Sequence, residues 1–281
     1  MTAIVVIAKE CLPGKVKTRL HPPLSLEQAA LLAASSLADT LAVAAQLPAT
    51  RHILAFDGVT PPPEASGWQI LPQTSGGLDE RLAAIFDHLD GPTLLLGMDT
   101  PQVSAELLAP VFQNWNETDA WFGPANDGGF WALALKNPSG ALLRGIPMSR
   151  SDTGAHQLQR LDQAGLTVRL LPALTDIDTI TDAQTVASIA PHTRFARAFA
   201  GVRASAQPGD ANQPATERRS TDRPPAEGRA ADAGAADLHP ADLHSADLHS
   251  ADLHSADLHP ADLHPAATRA AALLTLTGTR S

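Results

Sequence analysis

The sequence predicts an α/β protein, a mostly parallel, doubly wound sheet over residues 1–203 followed by a disordered tail over 204–281. Three observations predict it. Short, β-rich apolar runs alternate with helical segments from Ile4 to about Val202, the pattern of buried strands joined by crossover helices. Polar clusters follow the first strand, follow Leu96 and precede Gly129, and the ligand crevice of such a sheet lies beyond the carboxyl ends of its strands. Large apolar residues then nearly vanish until Leu273.

The elements follow in order. AIVVIA at 3–8 is a continuous apolar run, suited to a central strand buried on both faces. Ser25 and Gln28 make a capping box before a long helix ending near Gln46. A strand at 51–57, the Pro-rich loop TPPPEASG and a short strand at 68–71 come next. A helix over 78–89 leads to an apolar strand at 93–97, and Ser104 caps a helix running to about Asn116. Strands at 119–122 and 129–135, a helix at 154–164 and a strand at 166–171 follow. Helical segments at 182–189 and 192–199 close the domain.

Composition narrows the function. Residues 1–203 carry 14 Lys and Arg against 19 Asp and Glu, and the remainder carries 6 against 11. Neither part has the basic footprint that nucleic-acid binding requires. No stretch approaches the ~20 apolar residues of a membrane span. The first apolar run is too short for a signal segment and has no basic residues ahead of it. The lone Cys11 suits a reducing compartment, so a cytoplasmic protein is expected.

Residues 236–265 are six copies of ADLHP or ADLHS. A five-residue step turns a helix by about 500°, so successive leucines fall ~140° apart and make no stripe. With Pro240, Pro260 and Pro265 as breakers, disorder is expected there. The six histidines could bind transition metals weakly, or the repeat could be an expansion without a role.

The chain has four lysines, and Lys9, Lys15 and Lys17 fall within nine residues beside Arg19, in AKECLPGKVKTRL at 8–20. Pro13 and Gly14 force a turn, and Gly14 permits close backbone approach. Clustered cations on a turn after a strand suit a di- or triphosphate, although a solvated basic loop has the same composition. The P-loop pattern GxxxxGK[ST] is absent. The string resembles the AKxPxPGxVKTRL signature of a bacterial family of GT-A-fold, glycosyltransferase-like proteins, catalogued as a domain of unknown function. Cys11 stands where that family has its first proline. The resemblance implies a GT-A, nucleotide-diphospho-sugar transferase fold whose opening loop, with Lys9, Gly14, Lys15, Lys17 and Arg19, binds nucleotide phosphate.

Three acidic segments accompany the loop. GMDTP at 97–101 puts Asp99 at a strand's carboxyl end, suited to a hard divalent cation or to capping the next turn. By resemblance it is the counterpart of the GT-A Asp-x-Asp metal motif, here with a single Asp. GPANDGGFW at 123–131 is similar to the family's GPAxDGGYY, which implies a place for Asp127 on the acceptor side, as general base or acceptor-binding residue. An ordinary turn would also explain it. DIDTITD at 176–182 is similar to a family DIDT-x-x-D segment, which makes Asp178 a candidate second metal ligand, while Asp182 suits a helix N-terminus. The resemblance also places Gln73 and Arg81, in QTSGGLDERL, near the nucleotide, although an arginine on a helix face is more often a surface residue. In PMSRSDTG at 147–154, Arg150 or Thr153 could meet acceptor or phosphate. The dispersed histidines of the folded part have no ligand spacing.

The activity so implied is transfer of a sugar from a nucleoside-diphosphate sugar to an unknown acceptor, with Mg²⁺ or Mn²⁺ as cofactor. The same scaffold hosts nucleotidyl transfer. The nearest such case is the guanylyltransferases that activate a small phosphorylated acid in deazaflavin cofactor biosynthesis, whose opening loop is similarly KTR-like. A non-catalytic nucleotide-binding module is the third reading.

Overall fold

The computed structural model describes residues 2–113 and 115–206; the expected tail lies outside the described residues from 207 on. The N-terminal run forms β1 (Ala3–Lys9). Its side chains alternate between two cores, with Ile4, Val6 and Ala8 facing one and Val5 and Ile7 the other, as the period of two in a strand demands. α1 (Leu26–Ala44) starts at the expected capping box, with Ser25 accepting from the Gln28 amide and Gln28 accepting from the Ser25 amide.

β2 (Arg51–Asp57), β3 (Gln69–Pro72), α2 (Leu78–Asp87) and β4 (Thr93–Leu96) fall within two residues of their expected bounds. α3 (Ala105–Gln113) begins where Ser104 accepts from the Leu107 amide. β5 (Ala120–Pro124), β6 (Phe130–Leu135), α4 (Thr153–Gln163), β7 (Val168–Leu170), α5 (Ile180–Ile189) and α6 (Arg194–Ala206) complete the described chain. α5 opens two residues earlier than the charge of Asp182 suggested, because Thr179 and Asp182 form a second capping box. α6 starts at Arg194 because the buried carboxylate of Asp39, on α1, accepts the Arg194 and Phe195 amides.

The strands form a seven-stranded sheet in the order β3-β2-β1-β4-β6-β5-β7. β1 pairs in parallel with β2 and β4, β2 with β3, and β5 with β7. β6 alone runs antiparallel, against both β4 and β5. One face of the sheet packs on α1 and α3 through Leu37, Leu41, Leu108 and Val111. The other packs on α2 and α4 through Leu82, Phe86 and Leu161. A third cluster joins α1, α5 and α6 around Phe195 and Phe199. Each fully buried large side chain contributes about 1.5–3 kcal/mol. Among the described residues no helix is long and apolar enough to cross a membrane.

The reversal of β6 is what assembles a site. Leu96, the last residue of β4, pairs with Ala132, and the Gly97 amide donates to the Trp131 carbonyl. The amino end of β6, with the turn that precedes it, therefore lies beside the carboxyl ends of β1 and β4.

Candidate functional site

A cleft of about 770 Å³ opens at that edge of the sheet. Lys9, Lys15, Lys17 and Arg19 line it from the loop after β1, and Asp99 from the turn after β4. Asp127 lines it from the turn before β6, Asp178 from the segment before α5, and Gln73 and Arg81 from the α2 side. Gly14 does not; it turns the loop at φ +74°. Arg150 and Thr153 also line the cleft. Arg150 is engaged by Asp152 at 3.0 Å, and the Thr153 hydroxyl donates to the Pro147 carbonyl.

Four of the lining residues form an ion cluster. Lys17 Nζ donates to Asp178 Oδ1 at 3.1 Å and lies 3.0 Å from Asp99 Oδ1, off the hydrogen-bond direction. Arg19 donates to the other oxygen of Asp178 at 3.1 Å. The Lys17 side chain is 8% exposed. Burial alone would lower its pKa, but the two carboxylates outweigh that and hold it above the ordinary lysine value. Lys17 also takes a left-handed backbone (φ 48°, ψ 35°), which costs a non-glycine residue about 1–2 kcal/mol.

Backbone pairing explains why Asp99 and Asp178 meet. The Ile177 amide donates to the Asp99 carbonyl. Upstream, Asn126 and Gln102 both hold Thr175, through its hydroxyl and its carbonyl, at 2.7 Å. Residues 174–178 are thus threaded between the turns that carry Asp99 and Asp127. The Met98 carbonyl accepts from Ser36 of α1 at 2.7 Å, which anchors the β4 turn from below.

Gln73 and Arg81 are bound inward. The Gln73 amide donates to the carbonyls of Ala8 and Ala55, and its oxygen accepts from Arg81. Arg81 also lies 3.7 Å from Asp57. These contacts brace the carboxyl ends of β1 and β2 beside the cationic loop. Asp127 Oδ1 accepts from the Gly129 amide at 2.8 Å, the fold-back that lets a short turn hold a carboxylate at the mouth of β6.

The sequence motifs assign no role to Asp176, the first residue of DIDTITD. The Asp178 amide donates to the Asp176 carbonyl at 3.1 Å, and both residues line the cleft. Asp176 Oδ1 is buried without a hydrogen-bond partner. Burial, then the charges of Asp99 and Asp127, push its pKa up to about 7, with partial relief from Lys17. An unfolded Asp titrates near 3.8. Between those values the unfolded chain has lost a proton that the folded chain keeps, so stability falls as pH rises through that window. Asp176→Asn stays neutral throughout. In EDTA it is expected to melt higher than the parent at pH 8 and no higher at pH 4. An equal difference at both pH values would mean that another group titrates.

The carboxylates fit a divalent cation of the magnesium type. Among the described residues no three His, Cys, Asp or Glu side chains form a ready-made metal cage. Mg²⁺, however, is commonly held by one or two carboxylates with substrate phosphates and water supplying the rest. Asp99 and Asp178 already share one positive atom, and the unpartnered Asp176 oxygen belongs to the same acidic group. Cys11, by contrast, is a poor nucleophile or ligand: burial, then Asp99 and Glu10, raise its pKa to about 11.

At the coarse level that likeness to a solved structure supports, the chain is a transferase of the nucleotide-sugar-transferase kind. Residues 29–150 match the family described as "Uncharacterized protein conserved in bacteria (DUF2064)", so the resemblance read from the motifs holds over the span with GMDTP and GPANDGGFW. The loop at 8–20 lies ahead of that span. A provisionally named nucleotide-diphospho-sugar transferase from Desulfovibrio desulfuricans G20 superposes with a TM-score of 0.64 at 26% identity, over 73% of this chain and 94% of that one. The fold is that of the nucleotide-diphospho-sugar transferases. More distant structures include a manganese complex from Mycobacterium tuberculosis H37Rv (TM-score 0.41, 19% identity, covering 66% of this chain and 96% of that one). Another is the 2-C-methyl-D-erythritol 4-phosphate cytidylyltransferase of Thermus thermophilus (0.42, 18%, covering 72% and 100%). No curated protein matches the chain.

Proposed function

We propose that residues 1–203 form an enzyme that moves a sugar from a nucleoside-diphosphate sugar to an acceptor, with Mg²⁺ or Mn²⁺ held by Asp99 and Asp178. The observation that carries the reading is convergence: a lysine-rich loop and the carboxylates of Asp99, Asp127, Asp176 and Asp178 line one cleft at the ligand edge of this sheet. Lys9 and Lys15 line it without an ion pair among the described residues, which leaves them to meet the donor diphosphate. The metal, when bound, neutralises charge building up on the leaving diphosphate. The loop cations serve the same end from the other side, as donors aimed at developing charge. Gln73 and Arg81 position the loop rather than spend their own hydrogen bonds on the nucleotide. Asp127 Oδ2 makes no hydrogen bond among the described residues, so it is the oxygen to take the proton of an acceptor hydroxyl as the new bond forms.

The product distinguishes this chemistry from nucleotidyl transfer. Sugar transfer breaks the bond between the anomeric carbon and the diphosphate, so a nucleoside diphosphate is released. Nucleotidyl transfer displaces pyrophosphate from a triphosphate. Purified protein with Mg²⁺ or Mn²⁺, and cell extract as acceptor source, is expected to release a nucleoside diphosphate from a nucleotide sugar and no pyrophosphate. Pyrophosphate release that depends on a phosphorylated small acid, without turnover of any nucleotide sugar, would overturn the proposal.

A further inference from the structure

We infer that the Lys17 ammonium and a divalent cation compete for one place, the gap between the Asp99 and Asp178 carboxylates, so that the metal binds well only once a diphosphate draws Lys17 away. The inference rests on the metal of the proposed function, but not on which bond the enzyme breaks.

Lys17 Nζ lies 3.0 Å from Asp99 and 3.1 Å from Asp178, on a side chain 8% exposed. A divalent cation bound to the same oxygens sits about 2.0–2.6 Å from each, inside the space that the ammonium fills. Ammonium and metal so placed would repel at contact distance where water screens little. Lys17 must leave, and leaving is costly unless it finds another anion, because an unpaired buried charge is strongly disfavoured. A donor diphosphate held by Lys9 and Lys15, on the same loop, supplies one. Arg19 meanwhile keeps its contact with the outer oxygen of Asp178 and is largely exposed, so that carboxylate stays in place while the inner cation is exchanged. Metal and donor thereby become linked ligands, each raising the affinity for the other.

Mn²⁺ binding to the full chain, followed by the EPR signal of free Mn²⁺, tests this without any turnover. Parent, Lys17→Met and Lys17→Arg are titrated alone and with UDP or GDP, after their melting transitions show that each is folded. Lys17→Gln replaces the Met variant if that one does not fold. Without nucleotide, Lys17→Met is expected to bind Mn²⁺ at least tenfold more tightly than the parent, and Lys17→Arg no more tightly. The nucleotide is expected to raise the parent's Mn²⁺ affinity by a larger factor than it raises that of Lys17→Met; chelation of Mn²⁺ by the diphosphate is common to both and cancels. Equal Mn²⁺ affinity in parent and Lys17→Met overturns the competition, as does equal enhancement by nucleotide. Adding Asp99→Asn to Lys17→Met separates the two levels. Mn²⁺ binding that persists in the double variant removes the metal assignment itself, whereas binding that vanishes there leaves that assignment standing whatever Lys17 does.

Discussion

Asp99→Asn is expected to abolish metal-dependent nucleotide binding and to leave the fold intact. The change is nearly isosteric and removes the anionic oxygen pair that a hard cation requires. Lys17 keeps Asp178 as partner, so no buried ammonium is stranded. The Asp99 backbone carbonyl still accepts from Ile177, so the 174–178 segment stays docked. The measurement is the rise in melting temperature that a nucleoside diphosphate produces with and without Mn²⁺, since a ligand of the native state raises apparent stability. A loss of at least ~100-fold in Mn²⁺-dependent affinity is expected, equivalent to about 2.7 kcal/mol. Unchanged Mn²⁺ dependence would show that Asp99 is not a metal ligand.

The second large effect concerns the turn that holds Asp127. Gly128 has φ +90°, and a Cβ there would stand 1.9 Å from the Ser151 carbonyl oxygen. Backbone cannot give way as a flexible side-chain tip can, and the positive φ adds strain for any L side chain. Gly128→Ala is therefore expected to cost about 3 kcal/mol or more, a fall in Tm of roughly 6–12 °C for a domain of this size. Gly129→Ala is the control. Its Cβ would meet the Asp127 carboxylate at 3.1 Å, a side chain that can shift, so its cost should be less than half as large. Equal costs would mean that the Ser151 contact is not what confines the turn.

Much of the fold was legible because its signals are local. AIVVIA alternates between two apolar cores, as a continuous hydrophobic run in a central strand must. Ser25 and Gln28 announced the start of α1 by a contact within one turn. The loop cations stood out because lysines are so scarce elsewhere in the chain. Helix ends were less legible where a distant group sets them. α6 begins at Arg194 because Asp39, on another helix, caps it, and no local pattern records that.

The site divides in the same way. The sequence by itself determined the alternating elements, the run of cations after β1, and the acidic residues Asp99, Asp127 and Asp178 at the ends of apolar runs. The resemblance of their motifs supplied the roles that composition and spacing could not. Only the tertiary structure decided that β6 runs antiparallel, which brings Asp127 to the same edge of the sheet as Asp99. It alone decided that Lys17 stands between two carboxylates, one of them 161 residues away in the chain, and that one oxygen of the half-buried Asp176 carboxylate is buried without a hydrogen-bond partner. Strand direction and side-chain burial are properties of contacts between distant segments, whereas periodicity, caps and turn residues act within a few residues of themselves.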